Sequence, residues 1–533
     1  MKKLLILFFI LFSFPCFAQV YSQSQKIVAL DRTSGAQFGS AVAMCGNYAV
    51  VGAYTETDDT FGLNTLSFAG SAYIFEKNTN GNWIQKQKLV PSDRAASDYF
   101  GASVAIDSNR LVIGAYEKNA IGATTYTHAG AVYIFERNSN GVWNEIQKLV
   151  AADTSTKSHF GYTVSVSGNY IVAGTPLESE DTTASNTLAN AGAAYVFKRD
   201  AGGNWSQEKK LVAFDRAATD FFGISVSISD STIFVGANRE DEDSLGLNTI
   251  NESGSVYVYE KNTNGQWYHS QKITAQDRGV IDRFGSCVSI SGNKAVIGVF
   301  LEDENSTGTS TMNNAGAAYI FERNTNNKWT QKQKIIASDR APNDYFGIAA
   351  QIDGDRIIVG ADQESEDESG GNTISFSGSA YIFERDINGN WNQKQKIVAS
   401  DRAAIDLFGH NVAVSDSSFI VGAYAEDEDA NGGNSLNGSG SAYFFEPTMS
   451  TGTAFLDTEN KISVYPNPNS GTFFIHTNKN AAEISIINIY GQLVYSTKST
   501  DKTVYIDMEL PKGIYFVAVT TSEKSEVKKI IVE

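Results

Sequence analysis

Cysteine is nearly missing from this chain: 533 residues hold three, and one of them, Cys16, falls in the first segment. The other two, Cys45 and Cys287, stand far apart in the repeats described below, so no disulfide framework is expected and both read as small buried hydrophobes. Proline is also scarce, 8 against 46 glycines, which favours tight turns over extended linkers. No segment carries a sustained 3.6-residue apolar period, which argues against a helical fold. No apolar run reaches the roughly 20 residues that a membrane-crossing helix needs, so no transmembrane segment is expected. The five histidines, His128, His159, His269, His410 and His476, share no metal-ligand spacing. Neither a Gly-x-Ser-x-Gly turn nor a phosphate loop is present, so no local catalytic motif can be named and no catalytic residue is expected.

Basic charge is lacking as well. The net charge is −18; Lys2 and Lys3 put +2 in the first segment and residues 460–533 carry +1, which leaves −21 on residues 19–459. Such a body repels nucleic acid and anionic membrane surfaces, and suits cations or basic partners.

The first 18 residues have a secretory leader's form. Lys2 and Lys3 form its basic end, Leu4 to Phe14 its apolar stretch, and Ala18 is the small residue before the expected cut. A lipoprotein cut at Cys16 is the alternative, and Pro15 suits it poorly.

What the chain has in abundance is repetition. Phe-Gly recurs at Phe38, Phe100, Phe160, Phe222, Phe284, Phe346 and Phe408, at intervals of 62 residues except for one of 60. Fourteen residues after each Phe stands another glycine, from Gly52 to Gly422, and a third opens an aromatic run such as Gly70-Ser-Ala-Tyr-Ile-Phe. Each period reads as four strands, A to D, with alternating apolar and aromatic residues. Asn-Gly pairs such as Asn80-Gly81 predict a tight hairpin between C and D. A four-stranded meander repeated seven times predicts an all-β, seven-bladed β-propeller over residues 19–446. A solenoid, with its shorter coils, does not explain two hairpins per period. All six tryptophans occupy one strand D position, where packing between blades is the simplest use for them. The seventh repeat stops at Pro447 without a strand D, while Gln25-Lys26-Ile27-Val28-Ala29-Leu30-Asp31-Arg32 has the sequence of a strand D with nothing before it. Pairing the two ends closes the ring, so that the N-terminal strand completes the last blade and no open edge is left.

The combination Phe-Gly-x-Ser-Val, Val-Gly-Ala and Gly-x-x-Tyr-Ile-Phe resembles the FG-GAP repeat of integrin-α-type propellers. The resemblance implies an extracellular binding or adhesion scaffold without catalysis. It departs from that family between strands A and B, where Cys45-Gly46-Asn47 or Asp353-Gly354-Asp355 replaces the family's calcium loop.

Residues 460–533 carry Tyr465-Pro466-Asn467-Pro468, Gly471-Thr-Phe-Phe-Ile475, Ile489-Tyr-Gly-Gln492, Gly513-Ile-Tyr-Phe-Val517 and the terminal Lys529-Ile-Ile-Val-Glu533. These motifs resemble the type A C-terminal sorting domain of type IX secretion. The resemblance implies a small Ig-like β-sandwich, engagement of the type IX machinery through residues 460–533, and delivery to the outside or outer surface of a Gram-negative cell. Residues 447–459 read as the linker.

Candidate binding residues lie in the long B–C loops. Counting from the strand B glycine, position +4 is Glu56, Glu178, Glu240, Glu302, Glu364 or Glu426, and position +6 is Asp58, Glu180, Glu242, Glu304, Glu366 or Glu428. Position +7 is acidic in five repeats, and repeat two, with Tyr116-Glu117-Lys118-Asn119, breaks the series. Clustered oxygens on one loop suit a hard cation such as calcium. The D–A connections on the same face carry Asp-Arg pairs such as Asp215-Arg216, whose arginine can fork onto a neighbouring carboxylate, so a ring of structural ion pairs with solvated acid is the competing reading. Asp98, Asp220, Asp282, Asp344 and Asp406 precede the Phe by two, and their repetition suits turn residues better than an acid and base pair. The expected function is a non-enzymatic surface protein that binds glycan or protein through the propeller loops. A polysaccharide-degrading enzyme and a structural matrix component are the alternatives. A departure confined to one or two blades and forming an acidic pocket would favour the enzyme.

Overall fold

The computed structural model describes residues 19–121, 125–449, 463–465, 471–476, 482–488, 492–508, 510–520 and 525–532, and no helix occurs among them. The expected leader with its Ala18 cut, and residues 450–459 of the expected linker, lie outside the described residues. The chain divides into two compact units, one over 19–448 and one holding the chain from 449 onward.

Each repeat folds as a four-stranded antiparallel sheet, and seven such sheets form. In blade 1 strand A is Ala41–Cys45, B is Tyr48–Ala53, C is Ser71–Lys77 and D is Trp83–Leu89, with Ala41 opposite Gly52 and Ala72 opposite Leu89. Strands B and C are covered on both faces by the neighbouring blades and read as continuous apolar runs. Val50 and Ile74 of blade 1 thus share a core with Leu111, Ile113 and Tyr133 of blade 2. All six tryptophans are buried between blades, and Trp83 stacks on Phe444 with ring centroids 4.1 Å apart.

Three glycines per repeat are required by how closely the blades approach, the Phe-Gly glycine among them, since a Cβ on Gly101 would stand 2.3 Å from the Ser71 carbonyl oxygen. A Cβ on Gly52 would stand 2.0 Å from the Gly101 carbonyl oxygen, and one on Gly70 2.0 Å from that of Phe100. Gly70 and Phe100 form a parallel bridge between blades, and the same bridge recurs to Phe38–Gly440, which joins the last blade to the first. At the outer edge a strand D glutamine clasps the next blade. The Gln87 amide donates to the Trp143 carbonyl at 2.8 Å and accepts from the Trp143 N–H at 3.0 Å. Near the axis, each A–B turn donates an N–H to the last strand A residue of the blade before it, a contact made at all seven junctions. Six of the seven acceptors are Ser or Asp and the seventh is Cys45, whose Sγ accepts from Ser108 at 3.4 Å. Cys287 points at the Gly347 carbonyl at 3.6 Å, as Ser225 donates to that of Gly285 at 2.7 Å. Both cysteines are half-buried and free, so they stand in for serines rather than serving only as buried hydrophobes.

The ring closes through the N-terminus, with a shifted register. Blade 7 holds Asn411–Ser415, Ser418–Ala423 and Ser441–Met449, and its outer strand is Gln19–Ile27. The closing strand therefore ends where the sequence reading has it barely begun, because Asp31-Arg32 belongs to the connection into blade 1. Tyr21 takes the tryptophan station: it is 1% exposed, meets Phe419 edge-on at 4.9 Å and donates to Glu384 at 2.7 Å. Strand C of blade 7 continues through Pro447 to Met449, taking residues from the expected linker; proline is tolerated near such a strand end. The C–D hairpin also differs from the two-residue turn expected. In blade 1 Asn78 accepts from Gly81 at 2.9 Å and donates to Asn82 at 2.8 Å, and only Gly81 has positive φ.

The second unit packs a three-stranded sheet (Ser463–Tyr465, Thr472–His476, Thr503–Asp507) against a four-stranded one (Leu493–Ser499, Ala482–Asn488, Gly513–Thr520, Ser525–Val532). Phe473, Ile475 and Ile506 of the first share one core with Ile484, Val517 and Ile530 of the second. This is a two-layer β-sandwich.

Because Tyr21 fills the last inter-blade gap, Tyr21→Ala is expected to cost about 3–5 kcal/mol, as for a buried aromatic truncated to Ala. Denaturant unfolding of the variant against the parent measures it.

Candidate functional site

On the face that carries the B–C loops and D–A connections, each blade builds one polar station around a strand D lysine. In blade 4 Lys272 lies 2.8 Å from Asp215 of the connection and 3.3 Å from Glu240 of the loop. The strand C hydroxyl of Tyr257 stands 2.7 Å from both carboxylates. The same arrangement recurs with Lys334, Asp277 and Glu302 (2.7 and 3.1 Å) and with Lys396, Asp339 and Glu364 (2.7 and 3.1 Å). Ring closure completes the station of blade 7, since Lys26 of the N-terminal strand reaches Asp401 at 2.7 Å and Glu426 at 3.4 Å.

The twelve predicted loop carboxylates therefore divide by depth. Glu56, Glu178, Glu240, Glu302, Glu364 and Glu426 are at most 2% exposed. Each also orders its loop, accepting the N–H of the +6 residue, as Glu56 does from Asp58 at 2.8 Å and Glu302 from Glu304 at 2.9 Å. Asp58, Glu180, Glu242, Glu304, Glu366 and Glu428 are half-buried above them. The +7 residue builds the loop tip: Asp59 accepts from the N–H groups of Phe61 at 2.9 Å and Leu63 at 3.0 Å. These backbone bonds hold its carboxyl down at about 2.

The arginines do not fork onto carboxylates. Arg32 reaches back to the preceding loop, to the carbonyls of Asn434 at 2.8 Å and Asp427 at 2.5 Å and to Ser439 at 2.8 Å. Arg278 and Arg402 do the same toward Asn248 and Asn372. Loop carbonyls at the end of a strand lack ladder partners, and a guanidinium satisfies two or three together.

For the calcium reading, Asp339, Glu364 and Glu366 bring ligand oxygens within 4.8 Å of one another. Lys396 already stands on two of the three, so the built-in ammonium supplies the positive charge that a cation would bring. The donor set does not fit calcium without expelling that lysine.

The aspartates two before the Phe lie beside these stations. Burial first, and the neighbouring glutamate next among the raising influences, push Asp220 and Asp282 up to about 8, and burial likewise pushes Asp344 and Asp406 to about 7. Asp220 accepts the Ala217 N–H at 2.6 Å, the turn role expected for it.

Blade 2 (Phe100–Asp107, Arg110–Ala115, Ala131–Arg137, Trp143–Leu149) breaks the pattern. Lys118 replaces the inner glutamate and pairs with Asp98 at 2.7 Å, while Lys148 pairs with Asp93 at 2.7 Å. Blade 3 is entered by Asp153-Thr154 instead of Asp-Arg, and Ser158 replaces the aspartate before the Phe. At this junction Glu117 bonds His128 Nδ1 and lies 3.6 Å from His159 Nε2. Burial first holds the His159 imidazole below its ordinary pKa. The same three positions at the blade 4–5 junction hold Arg239, Glu252 and Arg283, an ion trio with contacts of 3.8 and 2.9 Å.

Beside this junction the rings of Tyr54, Tyr99, Tyr116 and Tyr162 form a continuous arc, with successive centroids 5.5, 5.6 and 5.3 Å apart. Tyr54, Tyr116 and Tyr162 line the mouth of an axial cavity of about 860 Å³ that runs between the seven A strands. The sequence reading named Tyr116 only as part of the break in repeat two and missed the others. The signal was present two residues beyond the strand B glycine, where Tyr54, Tyr116, Pro176, Asn238, Phe300, Asp362 and Tyr424 differ while their neighbours repeat.

The FG-GAP repeat model matches residues 21–75, 83–135, 143–197, 205–259, 267–321, 329–383 and 391–445, and the secretion system C-terminal sorting domain model matches 463–533. No curated protein matches the chain. Among solved structures, it is similar to PorZ, described as an essential bacterial surface component of the type-IX secretion system of Porphyromonas gingivalis, at 12% identity and a TM-score of 0.37. That match covers 92% of this chain and 65% of PorZ, so the chain spans just under two thirds of that protein. A protein from Lactobacillus plantarum is similar at 11% identity and a TM-score of 0.41, over 69% of this chain and 85% of that one.

Two outcomes follow from the stations. Lys272→Met strands the buried Glu240 and the half-buried Asp215 and is expected to cost about 3–5 kcal/mol, read by denaturant unfolding. The raised aspartates are more protonated in the folded than in the unfolded chain, so their contribution is complete below about pH 4 and is lost as pH rises through 7–8. The melting temperature should therefore be higher at pH 5.5 than at pH 9, and Asp282→Asn should flatten the difference.

Proposed function

The chain belongs to the FG-GAP repeat family, and from that premise we propose that it is a non-enzymatic binding protein displayed on the outside of the cell, taking glycan or protein through the tyrosine-rimmed face of the propeller. The sorting domain indicates secretion or outer-surface localisation and engagement of the type IX machinery. The observation that carries the reading is where the seven-fold repetition fails. The departure gathers at one mouth, over blades 1 to 3, and it is aromatic rather than an acidic pocket. Tyr162 is exposed and Tyr54 and Tyr116 are half-buried at the mouth, and aromatic rings beside a preformed cavity are an ordinary means of holding a ligand. Against the hydrolase alternative, the deep loop glutamates bond lysine or tyrosine and the carboxylate Asp98 is paired with Lys118, while Glu117 at the same junction bonds His128.

The test is a binding screen of the full exported chain against arrayed glycans and surface proteins, repeated with Tyr116→Ala. A ligand whose binding falls about tenfold or more in the variant is the expected result. Turnover of an arrayed polysaccharide, or no ligand at all, overturns the reading.

A further inference from the structure

Two features of the axial cavity go beyond the aromatic rim. Its lining contains no lysine or arginine, a single carboxylate, Asp353, and a single imidazole, His410; its polar groups are otherwise serine, threonine and tyrosine hydroxyls, three amides and two thiols. Within a propeller body of −21, a neutral interior of this kind is the exception. Among the lining residues, Asn238 carries a buried oxygen, Oδ1, with no hydrogen-bond partner among the described residues; Asp362 Oδ1 is in the same state beside the lining His410 but is not itself part of the lining. Asn238 is 8% exposed and Asp362 5% exposed. Their other polar atoms are engaged: the Asn238 amide donates to Ser286 at 3.1 Å, and Asp362 Oδ2 meets His410 Nδ1 at 2.8 Å. Buried acceptors left without donors are costly, and a ligand that brings hydroxyl groups removes that cost.

We infer that the mouth and cavity form a subsite for the end of a neutral saccharide chain. The inference rests on the binding function proposed above and names the ligand class. Tyr116 and Tyr162, which line the mouth, meet the C–H faces of successive sugar units. Asn238 accepts from a sugar hydroxyl, and the serines of the A strands serve the terminal unit. An acidic saccharide gains no cation in the lining and meets an acidic body. A basic peptide would find one carboxylate at the far end of the cavity, where Asp353 already accepts from the Asp416 N–H at 2.7 Å.

The experiment is titration calorimetry of the full exported chain with neutral hexaoses (cello-, xylo-, manno- and malto-) against alginate oligomers and a lysine-rich peptide. Binding of at least one neutral hexaose, weakened about tenfold or more by Tyr162→Ala and retained in Tyr162→Phe, is expected. Tyr162 is 37% exposed, so its removal leaves the core intact, and Tyr268→Ala on an outer strand should bind like the parent. Neutral hexaoses that fail while alginate, the peptide or an arrayed protein binds with Tyr116 dependence would overturn this inference and leave the binding function standing. Failure of every class would overturn both, and neutral binding indifferent to Tyr162→Ala would overturn the subsite.

Discussion

A buried strand D lysine holds the loop-bearing face together in every blade except the second. Its ammonium ties strand D to the incoming connection through an aspartate, as Lys272 does at 2.8 Å from Asp215, and a strand C tyrosine spans the same carboxylates. In blades other than the second, a loop glutamate joins them, and that glutamate also orders the loop above by accepting its backbone N–H. Four separate segments thus converge on one charge. Taking that charge out of water is favourable only while both carboxylates remain in place, which is why the Asp, Glu, Tyr and Lys repeat together. The connection's arginine turns the other way, onto the preceding loop, so each Asp-Arg pair bonds forward through one residue and backward through the other.

The same device explains how a ring can be closed by a strand that is made first. Tyr21 supplies the missing aromatic and Lys26 the missing ammonium for Asp401 and Glu426, while Arg32 clasps the loop of blade 7. The closing strand therefore completes a core gap, a charge station and a loop clasp within twelve residues. A chain end that only extended a sheet edge would be held far less firmly.

Most of the architecture was legible in the sequence because each repeat states the same physical requirement again. The count of blades, the four strands, the inter-blade role of the tryptophans and the identity of the closing end all follow from periodic residues. The closing register did not, because Tyr21 replaces tryptophan and hides the alignment that Lys26, Asp31 and Arg32 preserve. The loop acids were visible but their depth was not: nothing in the spacing of Glu240 and Glu242 says that the first is buried on Lys272 and the second is nearer the surface. That distinction needs the lysine from a strand some thirty residues later, folded beneath the loop. The arginine's choice of carbonyls over carboxylates was hidden for the same reason.

A repeat protein places its individuality where repetition is not enforced by packing. The lysine stations, the close-approach glycines and the A–B turn contacts constrain almost every other position, so variation is confined to residues that point at the axis or lie at the loop junctions. Position +2 after the strand B glycine is such a place, and it carries tyrosine, proline, asparagine, phenylalanine and aspartate around one ring. At the blade 4–5 junction the freedom is used for an Arg239, Glu252 and Arg283 trio that satisfies itself. At blades 1 to 3 it is used for aromatic rings that border open space, with Asn238 left wanting a donor in the same lining. An apolar ring at an open surface and an unpaired buried acceptor each carry a cost for the isolated molecule. Both costs fall on the same mouth and both are relieved by one kind of occupant, which makes a binding role the economical account of the asymmetry.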